Sequence, residues 1–147
     1  MERGKIFLGG TCNGSNWRQE LIDSCLIPSN IPFFNPVVED WTPECIEEED
    51  RQKEVCTHHL YFINSEMTGV YSVAEAVESS HLPDKRVMLV VDTRGFSEGQ
   101  LKSFVAVGKL ISKRGHMFCF SDEGIKWVAS ALSSSRNNTE LKGESDE

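Results

Sequence analysis

Five short, nearly unbroken apolar runs punctuate this chain: Lys5 to Gly9, Ile31 to Asn35, Leu60 to Asn64, Arg86 to Asp92 and His116 to Phe120. A strand with one wet face alternates apolar and polar residues, whereas a continuous run belongs to a strand covered on both faces. The segments between the runs place apolar residues at helical spacing, which is the alternation of a parallel sheet sandwiched by helices. The expected fold class is therefore α/β, a three-layer sandwich around a five-stranded parallel sheet. Its 147 residues suit one domain that buries roughly two-thirds of its unfolded surface.

The first helix is expected to begin near Ser15 as N-cap and to carry Trp17, Leu21, Ile22 and Cys25 as its apolar stripe. Arg18 closes the loop segment Gly9 to Arg18 that precedes and opens this helix, and its alternative reading is a surface helix residue. A second helix is expected from Pro43 to Cys56, with Thr42 as N-cap and the Glu47-Glu48-Glu49-Asp50 run on a solvated face. The third should span Val70 to Ser80. The fourth should span Ser97 to Arg114, lined by Leu101, Phe104, Val105, Gly108 and Ile111, with Gly115 as its stop. A fifth is expected from Glu123 to Leu132, burying Ile125, Val128 and Ala129. Beyond it, 133–147 is rich in Ser, Asn and charge without apolar period, the composition of a flexible polar tail. The expected organisation is thus one domain over 1–132 and a tail.

A net charge of -8 and a pI near 5.0 argue against nucleic acid as a partner, because a surface that tracks phosphates needs clustered Lys and Arg. No apolar run approaches the ~20 residues that span a bilayer, and no secretory leader pattern opens the chain, so no membrane partner is expected. The five cysteines are an odd number with no C-x-x-C pair. That count fits neither a disulfide framework nor a zinc module and points to a reducing, cytoplasmic setting.

Chemistry-bearing residues gather where strands one, two and three end. The loop Gly9-Gly10-Thr11-Cys12-Asn13-Gly14-Ser15 joins strand one to helix one; its glycines allow close backbone approach, and its amides suit an anion or a row of hydroxyls. It is neither a Walker loop nor a dinucleotide fingerprint, and the alternative reading is a tight turn. After strand two, Asn35, Asp40 and Trp41 offer an amide, a carboxylate and an aromatic plate able to select a heterocycle; Trp41 reads equally as packed beneath helix two. In a sheet ordered 2-1-3-4-5 the loops after strands one and three flank the switch-point crevice. Glu75, early in the helix after strand three, then faces the glycine loop and is the candidate nucleophile; its alternative is a solvated helix carboxylate.

Together, the segments FLGGTCNGSNWRQEL, FFNPVVEDW and INSEMTGVYSVAEAV resemble the nucleoside 2-deoxyribosyltransferase superfamily over residues 5 to about 120. The resemblance implies a flavodoxin-like, Rossmann-like sheet ordered 2-1-3-4-5 and a Glu that attacks the anomeric carbon of a deoxyribose. Tyr71-Ser72-Val73-Ala74-Glu75 occupies the positions of the family's Gly-Thr-x-x-Glu pattern, so Glu75 is the implied catalytic residue. The first loop also looks like that of the related deoxynucleoside 5′-monophosphate N-hydrolases, where Gly10, Thr11, Asn13, Gly14 and Ser15 match the phosphate-holding positions. Gly9, Asn35, Asp40, Trp41, Asn64, Gly69, Tyr71 and Ser72 complete the expected substrate-binding set.

Two departures stand out: Tyr71 replaces the family's Gly, and Asn64 replaces an acid common after strand three. Asp40 is the expected contact to the base or its proton donor. The partners implied are a nucleoside or nucleotide, a nucleobase and further copies of the chain. No metal and no cofactor are expected, since such chemistry needs only a carboxylate and an ordered base. His58-His59 reads as a polar strand edge rather than a metal site, His81 as exposed, and Phe33, Phe34, Phe62 and Phe120 as core. Cys12 either packs or contacts ligand. A non-catalytic protein that sequesters a nucleotide or an ADP-ribose-like ligand is the alternative function, and an inert structural subunit a third.

Overall fold

The computed structural model describes residues 4–12, 15–38 and 40–134. Five strands, β1 (Ile6–Gly10), β2 (Phe33–Phe34), β3 (His58–Ile63), β4 (Arg86–Asp92) and β5 (Met117–Ser121), form one all-parallel sheet in the order β2-β1-β3-β4-β5. The helices are α1 (Trp17–Leu21), continuing as a π turn over Ile22–Leu26, α2 (Pro43–Val55), α3 (Tyr71–Ser80), α4 (Glu98–Ser112) and α5 over 125–134. The three-layer α/β fold and its strand order are those expected. Among the described residues no helix is long and apolar enough to cross a membrane.

Alternate residues of each buried strand supply the two apolar layers. Ile6, Leu8, Leu60, Phe62 and Val90 meet Trp17, Leu21, Ile22, Leu26, Ile125 and Val128 on one face. Tyr61, Ile63, Val87, Leu89 and Val91 meet Ala76, Phe104 and Ile111 on the other. Each such side chain contributes about 1.5–3 kcal/mol when fully buried, which is why the strands read as unbroken apolar runs.

Several elements differ from the expectations for local reasons. β2 shrinks to two half-buried residues because Pro32 and Pro36 bracket it and prolines cannot extend the ladder. Helix one starts after Asn16 rather than Ser15, and its register widens where Ile27 N donates to Ile22 O at 3.0 Å. On α4, Phe104, Gly108 and Ile111 are buried, but Val105 is 40% exposed. Gly108 is required there: a Cβ would run into the Phe118 ring. Phe120, expected in the core, lies on edge strand β5 and is 36% exposed. α5 runs two residues past Leu132, and the rest of the expected tail lies outside the described residues.

His59 is the largest surprise in the core. It is 1% exposed; its Nε2 donates to Lys53 O at 2.9 Å, and its Nδ1 pairs with Ser79 Oγ at 2.9 Å, which in turn meets the Tyr61 hydroxyl at 2.7 Å. A neutral imidazole satisfies this chain and ties the end of α2 and the end of α3 to β3. Burial holds the His59 pKa below its ordinary 6.5, and the Lys85 and Lys53 charges act in the same direction against the Lys53 carbonyl bond. A depressed histidine contributes stability that is full above the unfolded pKa and is lost as pH falls through it. The midpoint of urea unfolding should therefore drop between about pH 7.5 and about pH 5.5, and the drop should be smaller in His59→Gln, whose amide can make both contacts without titrating. Equal pH slopes in the two proteins would refute this role.

Candidate active site

A cavity of about 240 Å³ opens at the carboxyl ends of β1 and β2, lined by Phe7, Gly9, Gly10, Cys12, Arg18, Pro36, Val37, Val38, Trp41, Glu49, Ser72 and Glu75. β1 supplies its floor, the segment after β2 an apolar wall, and α2 and α3 its carboxylates. Gly10 ends β1 with φ +121, and a Cβ there would collide with the Phe62 backbone. Only glycine lets the chain turn out of the sheet at this point.

Glu75 sits on the second turn of α3 with its side chain 12% exposed, and Oε2 lies 2.5 Å from Lys53 Nζ. Oε2 is buried, and that ammonium is its charge partner. The same ammonium reaches Glu49 one turn earlier on α2, at 3.8 Å, and lies 5.6 Å from the centre of the Phe7 ring. Burial opposes the Lys53 charge, yet Glu75 and then Glu49 outweigh it and raise its pKa. Lys53 is thus a fixed cation between two carboxylates, placed by the His59 bond to its carbonyl.

Arg18 is 5% exposed and so is not a surface helix residue. Its guanidinium donates to Leu8 O at 2.9 Å, Thr11 O at 2.7 Å and Gly10 O at 3.1 Å, and its Cζ lies 4.5 Å from the centre of the Trp17 ring. Burial lowers its pKa, while Cys12, Glu75 and Glu49 act to raise it. A side chain from the first turn of α1 therefore folds back to hold the strand end that forms the cavity floor.

The structure brings Gly9, Gly10, Trp41, Ser72 and Glu75 of the expected set together on this cavity. Trp41 is 65% exposed at its rim, not packed beneath α2, and Ser72 Oγ donates to Gly10 O at 2.9 Å, tying α3 to β1. Tyr71 is 71% exposed beside it, and Gly69 lies in an exposed stretch with open space around its Cα. Asn35 accepts from Val37 N at 3.1 Å and so shapes the turn rather than the lining. Asp40 is exposed and off the lining. Asn13 and Gly14 lie outside the described residues.

Thr11, Ser15 and Asn64 form a separate staple. Asn64 N donates to Thr11 Oγ1 at 3.1 Å and its side-chain amide donates to Ser15 Oγ at 2.9 Å. Ser15 and Asn64 line a second hollow of about 480 Å³, together with Asp92 and Arg94. Thr11 is buried, with its hydroxyl engaged by the β3 end.

Lys53, Glu49 and Arg18 were the site residues that periodicity missed. Glu49 and Lys53 share the i, i+4 spacing of a helical ion pair, but nothing in a charged run tells which face turns inward. A 2-1-3-4-5 sheet with polar groups converging at its switch point defines a class of α/β proteins that bind small molecules there. The sequence profile of the family described as nucleoside 2-deoxyribosyltransferase like matches residues 3–94, and the chain belongs to that family. A search of curated proteins finds no match to the chain.

Proposed function

We propose that this protein cleaves or exchanges the N-glycosidic bond of a deoxynucleoside, or of its 5′-monophosphate, through a glycosyl ester on Glu75. The observation that carries the reading is a carboxylate on the cavity lining whose Oε2 is held 2.5 Å from the Lys53 ammonium. A carboxylate nucleophile must be held in place with one oxygen left to attack. With Oε2 set against Lys53, Oε1 is our assignment for attack on C1′ from the face opposite the base.

In this reading the C1′–N bond breaks as the Glu75 ester forms, and the base departs. A second base attacks the ester in exchange, or water does in hydrolysis; two displacements retain the anomeric configuration. The base lies against Pro36, Val37, Val38 and the Trp41 plate, and the sugar over Gly9 and Gly10. Five free cysteines support a cytoplasmic setting, and the exposed Trp41, Val70 and Tyr71 support association with further copies.

A non-catalytic nucleotide binder is the second reading, favoured by the Asn64 amide at a position where the family commonly has an acid. Incubation with each deoxynucleoside or deoxynucleoside monophosphate, with and without a free base, followed by chromatography, separates the two. Release of free base, or appearance of the exchanged nucleoside, supports the enzyme. Calorimetric binding without either product supports the binder.

A further inference from the structure

We propose that Glu49 is the general acid that protonates the departing base, a role that rests on the glycosidic reading of the Glu75 cavity. Among the described residues, Glu49 and Glu75 are the two carboxylates on the cavity lining. One ammonium holds both, at 2.5 Å from Glu75 and 3.8 Å from Glu49. The longer separation exceeds hydrogen-bond length, so the Lys53 ammonium is seated against Glu75 and the Glu49 carboxyl oxygens are left without a hydrogen bond from it. Three other polar side chains on the lining are otherwise engaged: Arg18 on three carbonyls, Ser72 on Gly10 O, and Cys12 within 3.4 Å of Gly10 O. Asp40 is off the cavity.

The environments of the two carboxylates separate their roles, the arrangement by which a pair of acids divides into nucleophile and proton donor. The side chain of Glu49 is 34% exposed. Burial raises its carboxyl pKa, and repulsion from Glu75 on α3 and Asp50 on its own helix adds to that; Lys53 and the more distant Arg18 on α1 pull the other way without cancelling it. In the forward step the C1′–N electron pair passes to the base, the Glu49 proton moves to a ring nitrogen, and a Glu75 oxygen bonds C1′. In the return step the Glu49 carboxylate takes the proton from the attacking water, or from the N–H of the incoming base, and the ester breaks.

The test compares two leaving groups in wild type, Glu49→Gln and Glu49→Ala. A deoxynucleoside of an ordinary purine needs a proton to leave, whereas N7-methyl-2′-deoxyguanosine already carries positive charge and leaves without one. Read as single-turnover release of the base, before any water or second base attacks, Glu49→Gln should slow the ordinary substrate by about 10²–10⁴-fold and the methylated one by less than about tenfold, and the loss of that wild-type rate at high pH should vanish in the variant. Equal slowing of both substrates would show that Glu49 only positions Lys53, and unchanged rates on both would show no role; either overturns the assignment. Circular dichroism of both variants controls for folding. A wild-type protein that turns over neither substrate overturns the glycosidic reading and this assignment with it, whereas a wild type active on both with equal variant losses overturns the assignment alone.

Discussion

Glu75→Gln should reduce turnover of any deoxynucleoside substrate by at least about 10³-fold while the protein stays folded, the scale seen when a covalent nucleophile is removed. Gln matches Glu in shape and fills the same space on α3, but its amide cannot form the glycosyl ester. The cost to stability is small for a buried charge. Removing one member of a buried pair is expensive when the other is left alone, yet the Lys53 side chain is 23% exposed and has Glu49 at 3.8 Å one turn away. A loss of about 1–2 kcal/mol is expected, read from urea unfolding. Intact-mass measurement gives the sharper readout: substrate should add one deoxyribosyl unit to wild type in the absence of acceptor base and none to the variant. Turnover in Glu75→Gln within tenfold of wild type would remove the nucleophile from the proposal.

The parts of this molecule that were legible in the sequence are those where many residues speak together. Five apolar runs and their helical spacers define the layers and the sheet because the central strands β1, β3 and β4 are buried along nearly their whole length. The cavity floor was legible for a different reason: a Gly-Gly pair ending a buried strand is a backbone demand, and Gly10 with φ +121 meets it.

Contacts made by single polar side chains across the fold were not legible. Arg18 lies next to Trp17 on a helix whose stripe is apolar, and nothing in its local pattern tells that it bends under the strand end to serve three carbonyls. Lys53 and Glu49 belong to a charged stretch of α2 that reads as solvated, and the outer part of that stretch is: Glu48 and Arg51 pair in water, 44% and 59% exposed. Which acid turns inward depends on the azimuth of α2 against β1, set by Gln52 bonding Lys5 at 2.7 Å and by the His59 contact. Those are links between residues far apart in the chain, and periodicity carries no information about them. Asp40 shows the converse: its position beside Trp41 in the chain made it a natural contact for the base, yet the cavity is lined by Pro36, Val37, Val38 and Trp41 and not by Asp40.

Arg18→Leu should produce the largest loss of stability among single changes near the site. Leu keeps the aliphatic volume beside Trp17 but removes every donor, so the carbonyls of Leu8, Gly10 and Thr11 lose charged hydrogen bonds in a place water reaches poorly. Hydrogen bonds to charged groups are worth about 1.5–3 kcal/mol each. Trp17 Nε1 still serves Thr11 O at 2.7 Å and Ser72 still serves Gly10 O, so the three losses do not add in full. About 3–4 kcal/mol is the expected net effect on unfolding free energy, or a fall in Tm of about 10 °C for a chain this long. Arg18→Lys should recover only part of it, because an ammonium reaches one or two carbonyls but lacks the planar fork that spans all three. Catalysis should suffer beyond the folding loss, since the released segment is the floor beneath the sugar: turnover measured well below the new Tm should fall in Arg18→Leu and return partly in Arg18→Lys. An unfolding free energy within about 0.5 kcal/mol of wild type for Arg18→Leu would mean that the guanidinium is a passenger in the fold, and the link between α1 and the cavity floor would have to be abandoned.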